Sequence, residues 1–418
     1  MSESPDGGVG IVLLAAGESQ RMAASSKSSL PKALLPWFRR PLIQYQLEQI
    51  AAVAPAHVVV VTGFHAERLA PYVDTVAGIH VVKNPNPERG RASSIVHGVR
   101  ALPETLSAIA VINVDQPCAA PILAKLIAAR AAGNHPIAIP RYQGVRGHPP
   151  LFANALRSEL LQVHENFQGL KAVTRAHRAA TTYVEIDDPS VVWNLNTPAD
   201  YHQAQQQHIL LATTNSAKTE HLAWLLEGVP LRRVTLAEAG LQSESPPSED
   251  QPTLQAIAAS KAIAWSRSFG GLALASDGGI SIPALGDSWE ERLTARFAGS
   301  QATDKQRVEA LLALLRPFRS EERLAYFREC VALANNGTLL QSWSAESAPG
   351  LIAETYRPDQ LVSGFWLLTL WCDPQSGKRL GVFTPDDPAY PDGAWASLKP
   401  SVRQFLLGYL ERYLNPAT

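Results

Sequence analysis

The sequence predicts two successive α/β domains, the first built on a Rossmann-like, mostly parallel sheet. Strand and helix patterns alternate along both halves of the chain, which is typical of βαβ units. The 418 residues exceed what one ordinary core accommodates. A polar, Gln-rich stretch at 199–208 separates two halves of the chain, and each half begins with a predicted strand, a loop and a cationic residue. We therefore expect domains at 1–206 and 207–418.

In the first half, short apolar runs that are typical of buried strands alternate with longer amphipathic segments that are typical of helices. The predicted strands are 10–15, 57–62, 79–83, 108–114 and 136–140. The predicted helices are 41–53, 65–73, 93–102 and 121–132. In sheets of this kind, ligands bind at the carboxyl ends of the parallel strands.

The pattern restarts in the second half and ends in an amphipathic segment. The predicted strands are 208–213, 272–276 and 323–333. The predicted helices are 218–226, 254–269, 302–315 and 401–413. The segment 242–251 is acidic and rich in Ser and Pro, which predicts a loop.

The composition excludes several classes of function. The apolar fraction of 46% and the charged fraction of 18% are typical of a globular protein. A formal net charge of -1 gives no reason to expect a nucleic-acid partner. No apolar run reaches the roughly 18 residues that span a bilayer. The 3 cysteines are far apart and predict neither a disulfide framework nor a zinc site. We expect a cytoplasmic protein that acts on small molecules.

The most informative motif follows the first predicted strand. A small-residue turn there lets backbone N–H groups approach phosphate oxygens closely. The residues expected to contact a nucleotide in this way are Leu14, Ala15, Ala16 and Gly17. Two cations follow, Arg21 and Lys32, which can offset the charge of a triphosphate and of departing pyrophosphate. A plain tight turn between a strand and a helix is the alternative.

Asp115 follows the apolar run 108–114. A carboxylate at a strand end, beside a phosphate-binding loop, can hold Mg²⁺ between the α-phosphate and the attacking oxygen. An Asx turn or an N-cap before Pro117 would use the same residue without a metal.

Two further loops carry candidate binding residues. Gly90 opens a loop that runs into a helix, with Ser93 or Ser94 as the expected N-cap and free N–H groups suited to an anion or a base edge. Asn84, at the end of the preceding strand, is expected in the same wall. His148 lies in another loop, where a lone histidine is more often structural than catalytic.

Together these motifs resemble the MobA-like nucleotidyltransferases, which include the molybdenum cofactor guanylyl- and cytidylyltransferases and the sugar-phosphate nucleotidyltransferases. The resemblance rests on the strings at 13–22, 30–36, 90–98, 114–117, 144–152 and 193–201. It implies transfer of a nucleotidyl group from CTP or GTP to a phosphorylated acceptor such as molybdopterin, with Mg²⁺ as cofactor and release of pyrophosphate.

The same resemblance assigns roles to individual residues. Arg21 and Lys32 would act on the pyrophosphate, Asp115 on the metal, and His148 on the acceptor. Asn196 stands where the family has Asp or Asn and would complete the metal site. The segment between Met22 and Leu30 is longer than is usual in the family, which leaves Lys27 as an alternative to Lys32. The motifs mix cytidylyl-like and guanylyl-like wording, so the base preference stays open.

Residues 208–220 and several later strings resemble the inosine triphosphate pyrophosphatase family, which removes pyrophosphate from non-canonical purine NTPs. The candidates that this resemblance implies are Thr214, Asn215, Lys218, Lys261, Asp277 and Arg296. Asp277 would be a base or a metal ligand, although a strand-end cap is the alternative. Lys218 and Lys261 would contact phosphates.

The departures from that family fall on its chemistry. Ala256 and Ile257 stand where the family has Glu-Asn, and Ser276 stands where it has the first of two Asp residues. We therefore expect a degenerate pyrophosphatase fold that supports the first half, binds a nucleotide or mediates a homodimer. Hydrolysis of non-canonical NTPs by the second half, or a non-catalytic nucleotide-binding module, remain the alternatives.

Overall fold

A computed structural model describes residues 7–20, 22, 30–74, 76–294, 296–299, 301–361, 366–379 and 393–414. The chain divides into two compact units. The first comprises 1–207 together with 230–232, and the second comprises 208–229 and 233–418. None of the helices in the described ranges has both the length and the apolarity to cross a membrane.

The first unit contains alternating strands and helices. Its strands are β1 (Val9–Ala15), β2 (Pro36–Trp37), β3 (Arg40–Pro41), β4 (His57–Thr62), β5 (Ile79–Lys83), β6 (Ala108–Asn113), β7 (Ile137–Tyr142), β8 (Val145–Arg146), β9 (Leu151–Ala153) and β10 (Thr181–Glu185). Its helices are α1 (Leu42–Ala52), α2 (Ala66–Val73), α3 (Arg91–Ala101), α4 (Ala120–Gly133), α5 (Arg157–Leu160), α6 (Leu170–Ala176) and α7 (Pro198–Gln206).

The main sheet of this unit has the strand order β10-β7-β9-β6-β1-β4-β5, with β8 paired to β7. The pairs β1–β4, β1–β6, β4–β5 and β7–β10 are parallel. Strand β9 is antiparallel to both β6 and β7. The predicted α/β, mostly parallel sheet is therefore confirmed, whereas the sequence did not indicate the antiparallel β9.

Strand β1 lies at the centre of the sheet because both of its faces are apolar. Ile11 and Leu13 pack into one layer of the core, and Val12 and Leu14 pack into the other. Such a strand reads as a continuous apolar run, as buried parallel strands do. The carboxyl ends of β1 and β6 thus lie side by side, with Leu14 opposite Asn113.

The start of α3 differs from the prediction. The helix begins at Arg91, after Gly90, so Ser93 and Ser94 lie in its first turn and neither caps it. Gly90 has a φ of 86°, and a Cβ there would lie 2.9 Å from the carboxyl carbon of Glu165. A glycine therefore ends the preceding loop and allows the helix to begin earlier than the serines indicated.

The second unit contains the other sheet. Its strands are β11 (His208–Leu211), β12 (Arg232–Thr235), β13 (Leu272–Ser281), β14 (Leu324–Asn335), β15 (Thr338–Glu346), β16 (Gly350–Ile352) and β17 (Trp371–Cys372). Its helices are α8 (Ser216–Leu225), α9 (Leu254–Phe269), α10 (Asp304–Leu314) and α11 (Ala394–Leu414). The strand order is β12-β11-β13-β14-β16-β17, with β15 paired to β14.

The position of Asp277 corrects a prediction. The sequence indicated a strand that ends at Ser276, which would leave Asp277 as an end cap. Strand β13 instead continues to Ser281, and Asp277 pairs with Cys330 of the antiparallel β14. Two glycines after Asp277 weaken the local strand signal, and the pairing with β14 outweighs their low propensity.

Candidate active site

The carboxyl ends of β1 and β6 border a pocket of about 420 Å³ in the first unit. Its lining contains many of the residues singled out from the sequence: Leu14, Ala15, Ala16, Gly17, Lys32, Gly90, Ser94, Asp115 and Asn196. A Cβ on Gly17 would meet no protein atom within 4 Å, so the pocket is open next to the Cα of this residue. Arg21 and Lys27 lie outside the described residues.

Lys32 joins the two side chains that the sequence indicated as metal ligands. Its ammonium lies 3.0 Å from Asp115 Oδ2 and donates a hydrogen bond of 2.9 Å to Asn196 Oδ1. The side chains of Lys32 and Asp115 are 12% and 25% exposed, so solvent screens this pair only in part. The two oxygens therefore converge on one cationic group at the pocket wall.

The main chain brings Asn196 beside Asp115. The N–H of Leu195 donates to the carbonyl of Asp115 over 2.9 Å. The N–H of Lys32 donates to Ser19 Oγ over 3.0 Å. These hydrogen bonds hold the main chain at Lys32, at Asp115 and at the residue before Asn196.

Asn84, Ser93 and Ser94 contact one another. Asn84 is 1% exposed, and its Nδ2 donates to Ser94 Oγ over 3.0 Å. The hydroxyl of Ser93 donates to Asn84 Oδ1 over 3.3 Å. In the described part of the chain, Ser94 lines the pocket, whereas Asn84 and Ser93 do not. These two therefore stand behind the wall that Ser94 presents.

Glu165 takes one of the N–H groups that an anion was expected to use. Its Oε2 accepts from the N–H of Ala92 in the first turn of α3 over 2.9 Å. A carboxylate at this end of a helix is favourable because the unpaired N–H groups carry partial positive charge. Glu165 comes from a distant part of the chain, and no sequence signal connected it to this helix.

His148 is half-buried and does not belong to the described lining of the pocket. Burial, together with the positive charges of Arg91 and Lys171, lowers the pKa of its imidazole to about 4, and the charge of Asp115 opposes this shift. The ring is therefore neutral near pH 7 and is suited to hydrogen bonding.

Sequence reasoning missed an amide network in the pocket wall. Asn113 Nδ2 donates to Gln116 Oε1, and Gln116 Nε2 donates to Asn194 Oδ1. Asn113, Gln116 and Asn194 all line the pocket, as do His65 and Arg91. Gln116 and Asn194 could have been singled out from their place beside Asp115 and Asn196, whereas His65 and Arg91 come from separate segments.

A pocket of about 370 Å³ lies in the second unit. All six candidates named for this half line it: Thr214, Asn215, Lys218, Lys261, Asp277 and Arg296. Asn215 has a local role as well, since its Oδ1 accepts from the N–H of Ala217 and caps α8.

The cations of this second pocket are paired with carboxylates. Lys261 Nζ lies 2.7 Å from Asp277 Oδ1 and 2.6 Å from Glu249 Oε1. Arg296 lies 3.0 Å from Glu249 Oε2. Burial alone would lower the pKa of Lys261, but Asp277 and Glu249 outweigh it and raise that pKa above its ordinary value. The lysine is therefore a firmly held cation.

Glu329 is a further carboxylate that the sequence did not single out as a site residue. It lies on β14, is 8% exposed, and its Oε1 is 3.3 Å from Lys218 Nζ. Burial raises the pKa of Glu329, and Lys218 opposes that shift. Gly278 pairs with Glu329 across the sheet, and a Cβ there would lie 2.1 Å from Glu329 Oε2. A glycine at 278 therefore makes room for this carboxylate.

Most residues that line each pocket lie in a segment that matches a family model. Residues 11–181 match the model of the MobA-like NTP transferase domain. Residues 209–365 match the model of the Ham1 family. The chain joins a MobA-like NTP transferase domain to a Ham1-family domain. Both resemblances inferred from the sequence are therefore confirmed at the level of the family.

Individual relatives match one part of the chain each. The chain is 33% identical over 140 residues to the bifunctional protein GlmU of Mycolicibacterium paratuberculosis. This match covers 31% of this chain and 28% of the GlmU protein. The chain is 32% identical over 149 residues to the dITP/XTP pyrophosphatase of Geobacter sulfurreducens, which covers 36% of this chain and 73% of that enzyme. The solved HAM1 protein of Coxiella burnetii is 24% identical, with a TM-score of 0.41. This match covers 48% of this chain and 100% of the Coxiella protein.

The MobA-like domain is thus a nucleotidyltransferase-type domain, and the Ham1 domain is similar to NTP pyrophosphatases. The chain spans less than a third of the length of the GlmU relative. The substrates and the activity of the whole protein therefore belong to the proposals below.

Proposed function

We propose that the MobA-like domain transfers a nucleotidyl group from CTP or GTP to a phosphorylated acceptor such as molybdopterin. The observation that carries this proposal is the convergence of Lys32, Asp115 and Asn196 at the wall of the pocket that Gly17 opens. An acceptor phosphate oxygen would form a bond to the α-phosphorus, and the bond from that phosphorus to the bridging oxygen would break and release pyrophosphate. No protein nucleophile is needed.

A divalent cation such as Mg²⁺ fits this pocket. Asp115 Oδ2 and Asn196 Oδ1 already converge on one cationic group, the ammonium of Lys32. No group of three or more His, Cys, Asp or Glu side chains suited to a metal occurs among the described residues. Mg²⁺ commonly takes one or two protein carboxylates and completes its shell with water and substrate phosphates. When bound by Asp115 and Asn196, the ion would neutralise phosphate charge and align the reacting groups.

The other residues act on the substrates directly. Lys32 offsets the negative charge of the departing pyrophosphate, and we propose the same role for Arg21. The backbone from Leu14 to Gly17 approaches the phosphates. His148, neutral near pH 7, would hydrogen-bond the acceptor without taking up a proton.

The test uses the full-length protein. Calorimetry with CTP, GTP, ATP, UTP and ITP in the presence of Mg²⁺ identifies the nucleotide, and pyrophosphate release with molybdopterin tests the acceptor. Asp115→Asn is expected to abolish release, whereas Asp74→Asn, on the exposed end of α2, should leave it unchanged. Equal pyrophosphate release by wild type and Asp115→Asn would refute the proposal.

A second candidate function is hydrolysis of a non-canonical NTP by the Ham1 domain. The observation that favours it is the collection of Lys218, Lys261 and Arg296 in one pocket with Asp277 and Glu329. Water would attack the α-phosphorus, and pyrophosphate would leave. Release of pyrophosphate from dITP or XTP without any acceptor, lost in Asp277→Asn but kept in Asp115→Asn, would support it. If the wild-type protein binds the nucleotide but releases no pyrophosphate from it, the domain is a binding module.

We further infer that the chain acts on small molecules in the cytoplasm and forms a homodimer through its Ham1 domain. Sedimentation velocity of the full-length protein tests the dimer, because a species near twice the 45.2 kDa of one chain is expected.

A further inference from the structure

Helix α1 carries a glutamine in a place where the helix is otherwise apolar. Gln46 is 0% exposed, and the neighbouring residues Ile43, Leu47 and Ile50 belong to the apolar core. A buried amide lowers stability unless its donors and its acceptor find partners. The position of this side chain therefore depends on the polar groups that it meets.

Within the part of the chain that the structure describes, the hydrogen bonds of this amide go to one short segment. Gln46 Nε2 donates to the carbonyl of Gln116 over 3.0 Å and to the carbonyl of Asn113 over 3.3 Å. Gln46 Oε1 accepts from the N–H of Cys118 over 3.2 Å. The amide thus contacts the backbone on both sides of Asp115.

The segment around Asp115 has additional backbone contacts. The N–H of Val114 donates to the carbonyl of Leu14, and the N–H of Leu195 donates to the carbonyl of Asp115. These two bonds hold Asp115 against β1 and against the segment that carries Asn196. The contacts of Gln46 reach the same loop from α1, on another side. A loop held from three elements has little freedom to change the direction of its central side chain.

We infer that Gln46 is a positioning residue for Asp115. Its amide fixes the carbonyls of Asn113 and Gln116, and the carboxylate between them is thereby held toward Lys32 and Asn196. The inference rests on the proposed transfer function for its effect on catalysis. The mechanical part, a tether of the segment 113–118, stands on the hydrogen bonds themselves.

The variant that tests this is Gln46→Met, which keeps the length of the side chain and removes its hydrogen bonds. Without the amide, two backbone carbonyls and one N–H lose a partner, and the loop gains freedom. The matched control is Gln49→Met. Gln49 lies on the same helix, and its Oε1 accepts from the N–H of Ala120, at the start of α4 and beyond the Asp115 segment.

Two readouts on the full-length protein separate positioning from general stability. Hydrogen exchange followed by mass spectrometry should show about tenfold faster exchange in Gln46→Met in peptides that contain the N–H of Cys118 and end before Ala120, and no change in those peptides in Gln49→Met. Pyrophosphate release should show kcat lowered about tenfold or more with the KM for the NTP within about twofold, because misplacement affects the transition state more than binding.

Each outcome has one meaning. Unchanged exchange at 113–118 in Gln46→Met overturns the tether, and faster exchange with unchanged kcat overturns the positioning role. If wild type transfers no nucleotide to any acceptor tried, the proposed function fails, while the exchange rates still decide the tether. If Gln46→Met does not fold, Gln46→Leu takes its place, because this smaller apolar side chain also removes the hydrogen bonds of the amide and places no unpaired polar group in the core.

Discussion

Lys32 Nζ and Asp115 Oδ2 lie 3.0 Å apart, although 83 positions separate the two residues in the chain. A lysine that pairs with a carboxylate in a pocket has two uses. It stabilises the carboxylate, and in the proposed site its charge would become available to phosphates when a metal ion binds the carboxylate. The pair therefore couples the two halves of the proposed site, the metal side and the phosphate side.

Replacement of Lys32 by Met should lower kcat/KM for nucleotidyl transfer by about 100-fold, because a buried donor that stabilises developing charge contributes on that scale. Pyrophosphate release by the purified full-length variant measures it. Lys125→Met, at an exposed position of α4, is the control and should behave as wild type. A drop of less than about threefold in Lys32→Met would exclude Lys32 as the main cation for pyrophosphate.

His148 should make stability depend on pH. Burial holds the pKa of its folded form at about 4, against an ordinary value near 6.5. The unfolded state thus binds more protons between these values, so the stabilisation is complete above pH 6.5 and is lost as the pH falls toward 4. In urea unfolding, the free energy of unfolding lost between pH 7 and pH 5 should be about 2 kcal/mol larger in wild type than in His148→Gln.

The decisive measurement for His148 is how much more the free energy of unfolding depends on pH in wild type than in His148→Gln. Other groups also titrate in this range, so only the difference between wild type and His148→Gln reports on this ring. Equal losses of free energy in the two proteins would contradict a depressed pKa at His148.

Glu249 should compete with anions in the pocket of the Ham1 domain. Its carboxylate contacts both Lys261 and Arg296, the cations that a phosphate would use. Glu249→Gln removes the charge and should tighten binding of dITP severalfold, as measured by calorimetry on the full-length protein. Asp250→Asn makes the same charge change one residue away and should have no such effect.

The double variant Glu249→Gln with Lys261→Met provides the internal check. If the gain comes from a freed Lys261, it should disappear in the double variant. Weaker binding in Glu249→Gln alone would mean that Glu249 contributes to the ligand site itself, as a metal ligand would.

Gly278→Ala should destabilise the Ham1 domain by about 1–3 kcal/mol, because its Cβ would lie 2.1 Å from Glu329 Oε2. Gly271→Ala is the control, since a Cβ there meets its nearest atom at 3.4 Å. Adding Glu329→Ala to Gly278→Ala should recover part of the loss in urea unfolding. A Gly278→Ala protein as stable as wild type would show that the carboxylate moves away freely.

Much of the fold follows from local patterns. The apolar run of β1 and the Val-rich run of β4 are strands because nearly every residue in them is buried on one face of the sheet or the other. The predicted helix at 254–269 coincides with α9, where Thr253 caps the first turn and Gly270 ends the last. Periodicity, caps and turn residues act over a few neighbouring positions, and so the sequence alone is enough to predict them.

The errors fall where distant segments meet. Serines 93 and 94 have the chemistry of caps, but Gly90 and the carboxylate of Glu165 allow α3 to begin before them. Asp277 looks like the end of a strand, but ten pairings with β14 extend β13 through it. In both cases a tertiary contact outweighed a modest local preference.

The sequence by itself determined the α/β class of both halves and the families that they resemble. It also pointed to residues that line the first pocket, because the motifs around Gly17, Lys32, Asp115 and Asn196 are contiguous strings. Only the tertiary structure decided which groups meet: Lys32 with Asp115, Glu249 and Glu329 with the lysines of the Ham1 pocket, and Gln46 with the backbone around Asp115. The physical reason is that hydrogen bonds and ion pairs act over about 3 Å, and which residues come within that distance depends on how the strands are ordered and not on their separation along the chain.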